Sequence, residues 1–160
     1  MLTDSLLMID GSAMLSKHYY GTIPKELFKE KNSEKIEVLQ REIKQTSYGV
    51  YTNAATSMLC SIMNIIKNYH PKYMVVCFDT MKNTFRQQIY SQYKETRRQT
   101  PNPLIEQFQL MQQILESIGI KVITSSKYEA DDYAGTLAHK FEKDVDVYIL
   151  TRDQDYYELA

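Results

Sequence analysis

Four short apolar runs, Leu6 to Asp10, Tyr73 to Asp79, Lys121 to Thr124 and Val145 to Thr151, are nearly continuous rather than alternating. Continuous runs suit strands covered on both faces of a parallel sheet. Stretches with helical spacing lie between them. From Thr52 to Tyr69, the residues Ala55, Met58, Leu59, Ile62, Ile65 and Ile66 recur on one helical face, and Pro71 stops the helix. Leu104 to Ile118 repeats the pattern with Phe108, Met111, Ile114 and Leu115 and ends at Gly119. Glu129 to Phe141 reads as a third helix, and a fourth begins near Asp153. The alternation predicts an α/β fold: a mostly parallel central sheet flanked by helices, with right-handed crossovers and a functional crevice beyond the carboxyl ends of the strands. Lys25 to Gln45 breaks the alternation with dense charge of both signs and reads as an exposed inserted helix or mobile loop. No repeat or low-complexity tract occurs.

Composition narrows the class. With 160 residues, 43% of them apolar, the chain suits one domain with a real core. No run reaches the roughly 18 apolar residues of a membrane span, and MLTDSLLMID carries an acid where a signal peptide carries bases. An intracellular, cytoplasmic protein is expected, with no membrane association. Cys60 and Cys77 are too few for a disulfide framework or a thiolate metal site, and buried, reduced thiols are expected.

The net charge of −1 conceals an uneven distribution. Lys82, Arg86, Lys94, Arg97 and Arg98 face a single acid, Glu95, within residues 82–98. From Tyr128 onward, nine acids outnumber Lys140, Lys143 and Arg152. One stretch suits polyanions and the other cations.

The acids fall at particular places. Asp10 closes the first predicted strand, Asp79 closes the second, and Asp153 and Asp155 follow the fourth. The connection after the third delivers Glu129, Asp131 and Asp132 to the start of a helix. Seven carboxylates are thus expected at one edge of the sheet. Crowded carboxylates raise one another's pKa and need cations, which the local sequence does not supply in number. All-oxygen ligation suits Mg²⁺ or Mn²⁺, and two such ions roughly 3.5–4 Å apart would serve phosphodiester displacement. Each acid also has a capping account: Asp153 could cap the last helix, and Glu129, Asp131 and Asp132 would be favoured at a helix N-terminus. Capping does not explain acids at three strand ends together with a cluster at the same edge. Asp132 fits least well as a ligand, because adjacent acids on a helix point in different directions and one could hold a base or a backbone amide.

If residues 83–98 are helical, Arg86, Tyr90, Tyr93, Lys94 and Arg97 recur at three- and four-residue spacing on one basic, aromatic face. Arg and Lys can clamp phosphates and Tyr can stack on bases; a solvated surface helix is the alternative. Arg97 and Arg98, followed by Pro101 and Pro103, suggest a loop leaving the site. His18, His70 and His139 form no ligand spacing, and Tyr19, Tyr20 and Tyr51 are expected to pack in the core or at its rim.

Met8-Ile9-Asp10-Gly11-Ser12, Cys77-Phe78-Asp79, Thr84-Phe85-Arg86 through Tyr90, Tyr93-Lys94, Arg97, Tyr128-Glu129-Ala130-Asp131-Asp132 and Thr151-Arg152-Asp153-Gln154-Asp155 carry a resemblance over nearly the whole chain. In order and spacing they resemble the 5′→3′ exonuclease domain of bacterial DNA polymerase I and the wider flap-endonuclease family. The resemblance implies a PIN-like fold and divalent-metal-dependent cutting of DNA near a free 5′ end or flap, by a monomer. It implies one metal on Asp10, Asp79, Glu129 and Asp131, with Asp132 close by, and a second on Asp153 and Asp155. Lys94 and Arg97 would stabilise charge on the transferring phosphoryl group. Arg86, Tyr90, Tyr93 and Arg98 would join them in binding nucleic acid.

Arg152 stands where the family commonly has a small residue. Family members continue into a helix-three-turn-helix module that grips duplex DNA and supplies further acids. Residues 1–160 are therefore expected to be a single N-terminal domain, a piece of a longer nuclease or of DNA polymerase I, with an incomplete second metal site and weak activity alone. Two alternatives stay open: a non-catalytic metal- and nucleic-acid-binding module, and a PIN-like ribonuclease, which the long basic segment after Asp79 fits less well.

Overall fold

The computed structural model describes residues 4–79, 85–90, 92 and 99–159. Its strands are β1 (Ser5–Asp10), β2 (Tyr73–Cys77), β3 (Lys121–Ile123) and β4 (Asp146–Leu150). All pair in parallel, in the order β3-β2-β1-β4. The helices are α1 (Gly11–Thr22), α2 (Ser33–Arg41), α3 (Asn53–Tyr69), α4 (Phe85–Ile89), α5 (Asn102–Ser117) and α6 (Ala130–Phe141), with 3-10 turns at Lys25–Phe28 and Gln154–Leu159. The α/β architecture expected from the alternation is present.

Strand side chains alternate between two layers. Leu7, Ile9, Val76, Phe78 and Val122 face a core shared with Leu15, Tyr19, Met58, Ile62, Met111 and Leu115 of α1, α3 and α5. Leu6, Met8, Val75 and Cys77 face the other way, onto α6. β1 is buried along its whole length, as its unbroken apolar run requires. β4 departs from the expectation of a buried run: Tyr148 and Leu150 remain 43% and 40% exposed. It is an edge strand, and α6 covers one of its faces while the helices on the opposite side sit over β1, β2 and β3.

Several local readings are revised. β2 ends at Cys77, so Asp79 lies two residues beyond the strand, although Phe78 N still donates to Ile123 O at 2.9 Å. The helix expected near Asp153 is a 3-10 turn. Cys60 is exposed on α3 rather than buried; Cys77 is buried, and both thiols are free. Helix α1 has no clear apolar stripe in GSAMLSKHYYGT and was not anticipated; Leu15 and Tyr19 bury it against the sheet and α3. The charged insert forms the turn at Lys25–Phe28 and the exposed α2, and Ile43 and an antiparallel bridge between Gln45 and Tyr51 return the chain to the body.

The first amides of a helix lack intrahelical partners. At α3 the side chain of Gln107, on α5, supplies one. Its Oε1 accepts from Ala54 N at 2.8 Å and Ala55 N at 3.1 Å, and its Nε2 donates to Asn53 Oδ1 and Pro103 O, both at 2.8 Å. Gln107 is fully buried, so water cannot replace it. Gln107→Met keeps the volume but orphans these groups. The expected loss is about 1–3 kcal/mol for each buried amide left unsatisfied, read as a lower urea midpoint at unchanged slope.

Candidate metal centre

The chain runs from β1 outward to β2 and β3, then returns to the opposite side of β1 to form β4. That reversal opens a crevice beyond the carboxyl ends of β1 and β4. Asp10 stands there, 7% exposed. One oxygen caps α1 by accepting from Ala13 N at 2.9 Å, and the other accepts from Thr151 Oγ1 at 3.0 Å, just past β4. Burial pushes the Asp10 carboxyl above its ordinary range; these two hydrogen bonds oppose the shift, and the charges of Asp79 and Asp153 add to it.

The loop after β2 is drawn against α1 by Ser12 Oγ, which accepts from Asp79 N at 2.8 Å. Gly11 allows that approach: a Cβ there would lie 2.7 Å from both Phe78 Cζ and Val76 Cγ1. The side chain of Asp79 crosses to α6, where Oδ1 accepts from Ala130 N at 2.8 Å.

The start of α6 gathers the other acids. Glu129 is its N-cap, 5% exposed, and forms a capping box with Asp132. Asp132 Oδ2 accepts from Glu129 N at 2.9 Å, and Asp131 Oδ1 accepts from Asp132 N at 2.7 Å. Burial is the main cause raising the Asp131 carboxyl; Arg86 and the Asp132 amide counter it. Arg86 reaches in from α4 with Nη1 on Asp132 Oδ2 at 2.7 Å and Nη2 on Asp132 Oδ1 at 2.8 Å. It also lies 3.4 Å from Glu129 and 3.6 Å from Asp131. Among the described residues it is the cation that touches this cluster.

Beyond β4, Asp153 N donates to Thr151 Oγ1 at 3.0 Å, and Asp153 Oδ1 accepts from Asp155 N at 3.2 Å. Asp153 thus caps the final turn and is also close enough to Asp10 to repel it. Asp155 is exposed and donates its backbone N–H to Asp153. Tyr156 was not anticipated: its buried phenol faces the charges of Asp10, Asp131 and Asp79, and burial first, then those charges, hold its proton tightly. Burial, reinforced by Asp10 and Asp79, likewise pushes the Cys77 thiol up to about 12 and keeps it protonated.

The fold therefore brings Asp10, Asp79, Glu129, Asp131 and Asp132 to one edge, with Asp153 beside them. Their oxygen donors suit a hard divalent cation. Among the described residues, no three acid, His or Cys side chains are grouped tightly enough to enclose an ion; hydrogen bonds and Arg86 hold the carboxylates instead. Tyr90 is exposed just after α4, and its hydroxyl donates to Gln92 Oε1 at 2.8 Å. Tyr93, Lys94, Arg97 and Arg98 lie outside the described residues. Ser12 and Thr151 were visible only as parts of motifs, because their role is to hold Asp79 and Asp10 across the fold.

The 3-2-1-4 parallel sheet with acids gathered at its switch point is an α/β fold with a candidate metal site at the carboxyl ends of its strands. The model of the 5′-3′ exonuclease, N-terminal resolvase-like domain matches residues 5–160, and the chain belongs to that family. It is 30% identical to a 5′-3′ exonuclease of Bacillus subtilis, over 99% of this chain and 49% of that protein. It is 31% identical to DNA polymerase I of Streptococcus pneumoniae, over 97% of this chain and 16% of the polymerase. The chain thus spans about half the length of the exonuclease and a smaller share of the polymerase. The fold also matches that of a bacteriophage T5 flap endonuclease solved with DNA and metal ions, at a TM-score of 0.58 and 21% identity, over 95% of this chain and 50% of that one. No helix among the described residues is long and apolar enough to cross a membrane.

Two expectations follow from this geometry. In Gly11→Ala, the gain in helix propensity of at most about 1 kcal/mol opposes an overlap with the buried Phe78 ring that costs about 1–3 kcal/mol. A net fall in melting temperature is expected. For Asp10, a carboxyl pKa raised by folding means that the folded state holds more protons than the unfolded state between 3.8 and the raised value, so stability falls as pH rises through that window. Asp10→Asn, which can still cap α1, should be more stable than the parent at pH 7 in the absence of metal. In unfolding curves across pH, that advantage should vanish once the pH drops below 3.8.

Proposed function

We propose that this chain is the metal-binding part of a monomeric 5′→3′ exonuclease or flap endonuclease, a piece of a longer nuclease or of a DNA polymerase I. It would hydrolyse DNA phosphodiester bonds near free 5′ ends. The observation that carries the proposal is the convergence of Asp10, Asp79, Glu129 and Asp131 on the switch point of a fold belonging to the 5′-3′ exonuclease family.

These four residues would hold one Mg²⁺ or Mn²⁺, and Asp153 with Asp155 would contribute to a second site. When bound, such an ion supplies Lewis acidity toward a phosphate oxygen and lowers the pKa of water. The remaining work belongs to the chain. Ala13 N and Thr151 fix the two oxygens of Asp10, Ser12 fixes the backbone of Asp79, and Ala130 N orients the Asp79 carboxylate. Tyr156 is buried beside Asp10, Asp79 and Asp131 and stays protonated there. Lys94 and Arg97 would stabilise charge on the phosphoryl group, while Tyr90 and Tyr93 would line the path of the DNA, as their motif positions imply, with Arg98 of the same basic segment beside them. The free thiols of Cys60 and Cys77 fit the reducing interior of a cell.

Cleavage of a 5′-flap DNA by the full-length protein with Mn²⁺ tests the reading. Asp79→Ala should lower the rate at least about 100-fold, the scale expected when an electrostatic element of a catalytic centre is removed. A rate equal to that of the unsubstituted protein would sink the proposal. Metal-dependent DNA binding without turnover would point instead to a non-catalytic module, and preferential cutting of the matching RNA to a ribonuclease.

A further inference from the structure

Resting on the proposed nuclease reading, we propose that Arg86 is a positioning residue that acts through Asp132, holding the start of α6, and with it Glu129 and Asp131, in place at the crevice. The guanidinium fork is committed to Asp132, with two parallel hydrogen bonds of 2.7 and 2.8 Å; its distances to Glu129 and Asp131, 3.4 and 3.6 Å, are longer. Bidentate pairs of this kind fix orientation as well as charge.

Asp132 passes that constraint on. The oxygen that meets Arg86 Nη1 also accepts from the backbone of Glu129, and the Asp132 amide donates to the Asp131 carboxylate. Arg86 is thereby coupled, through Asp132, to two candidate metal ligands. Further contacts dock α4 at the same place: Phe85 N donates to Lys127 O at 3.1 Å, and the Phe85 ring lies 5.8 Å from that of Tyr128, which meets Tyr133 edge-on at 6.1 Å. Arg86 and Asp132 are 27% and 24% exposed, so the pair is shielded from full solvent screening. A phosphate reached by the remaining N–H groups of Arg86 would have to share the guanidinium with Asp132, whose carboxylate already engages both Nη atoms.

Electrostatics alone and positioning make opposite predictions. If Arg86 acts only as a charge, Arg86→Gln should tighten the binding of a divalent cation and Asp132→Asn should weaken it. If it positions, both substitutions should weaken cation binding. The test is Mn²⁺ titration of the full chain, followed by electron paramagnetic resonance, for Arg86→Gln, Arg86→Lys, Asp132→Asn and the Arg86→Gln/Asp132→Asn pair.

We expect each single change to weaken Mn²⁺ binding roughly tenfold and the pair to be no worse than the weaker single variant, because contacting residues are non-additive. Arg86→Lys should match Arg86→Gln, since an ammonium lacks the fork. Affinity for 5′-flap DNA in Ca²⁺ and its salt slope should stay close to those of the parent. The proposal is overturned if Arg86→Gln gains Mn²⁺ affinity. It is equally overturned if Arg86→Gln mainly weakens DNA binding, with the salt slope reduced by about one, and Arg86→Lys restores it. A parent protein that binds Mn²⁺ without cutting DNA would remove the nuclease reading and leave these affinities to decide the role of Arg86.

Discussion

Negative charge held out of water at the carboxyl end of the central strand is the constraint around which this domain is arranged. Asp10 is nearly buried, and its ionised form is tolerable only because a helix amide and a hydroxyl just past the neighbouring strand β4 occupy its two oxygens. Those two partners belong to the elements on either side of the crevice. The hydrogen bonds that relieve the charge therefore also tie α1 and the end of β4 to the end of β1. Gly11 and Ser12 extend the arrangement to Asp79, because the close approach of the loop after β2 depends on a missing side chain and a hydroxyl acceptor.

The N-terminus of α6 is the second pole. Its free amides and positive end favour anions, and carboxylates from three sources use them: Asp79 from beyond β2, the Glu129–Asp132 capping box, and Asp131 on the amide of its neighbour. Capping and metal ligation stood as competing accounts of these acids. In the folded domain the same acids that cap helices are those collected at the crevice, so capping is the means by which they are held. Arg86 offsets part of the resulting repulsion, and its fork settles the orientation of Asp132.

Much of the fold was legible because periodicity reports local environment. The continuous apolar run of β1 marked a strand covered on both faces, and Met58, Ile62, Met111 and Leu115 marked the inner faces of α3 and α5. The departures have physical causes. Helix α1 lacks a clear apolar stripe because two of its four buried positions, Gly11 and Ser12, serve the close approach of the loop after β2, leaving Leu15 and Tyr19 as its buried apolar side chains. β4 looked central by composition, but its place at the sheet edge leaves Tyr148 and Leu150 without a covering helix. Cys60 follows the same logic, lying on the outer face of a helix whose inner face is packed.

By itself the sequence determined the α/β alternation and the placement of acids where strands end and a helix begins, because both depend on residues only a few positions apart. The tertiary structure alone decided the distant groups that hold those acids. Thr151 reaches Asp10 across 141 positions, Ala130 reaches Asp79 across 51, and Arg86 reaches Asp132 across 46. No local pattern encodes these contacts, since they exist only once the parallel sheet has brought its carboxyl ends to one edge. The acids were legible as a set, but their partners depended on the order in which β4 returns beside β1.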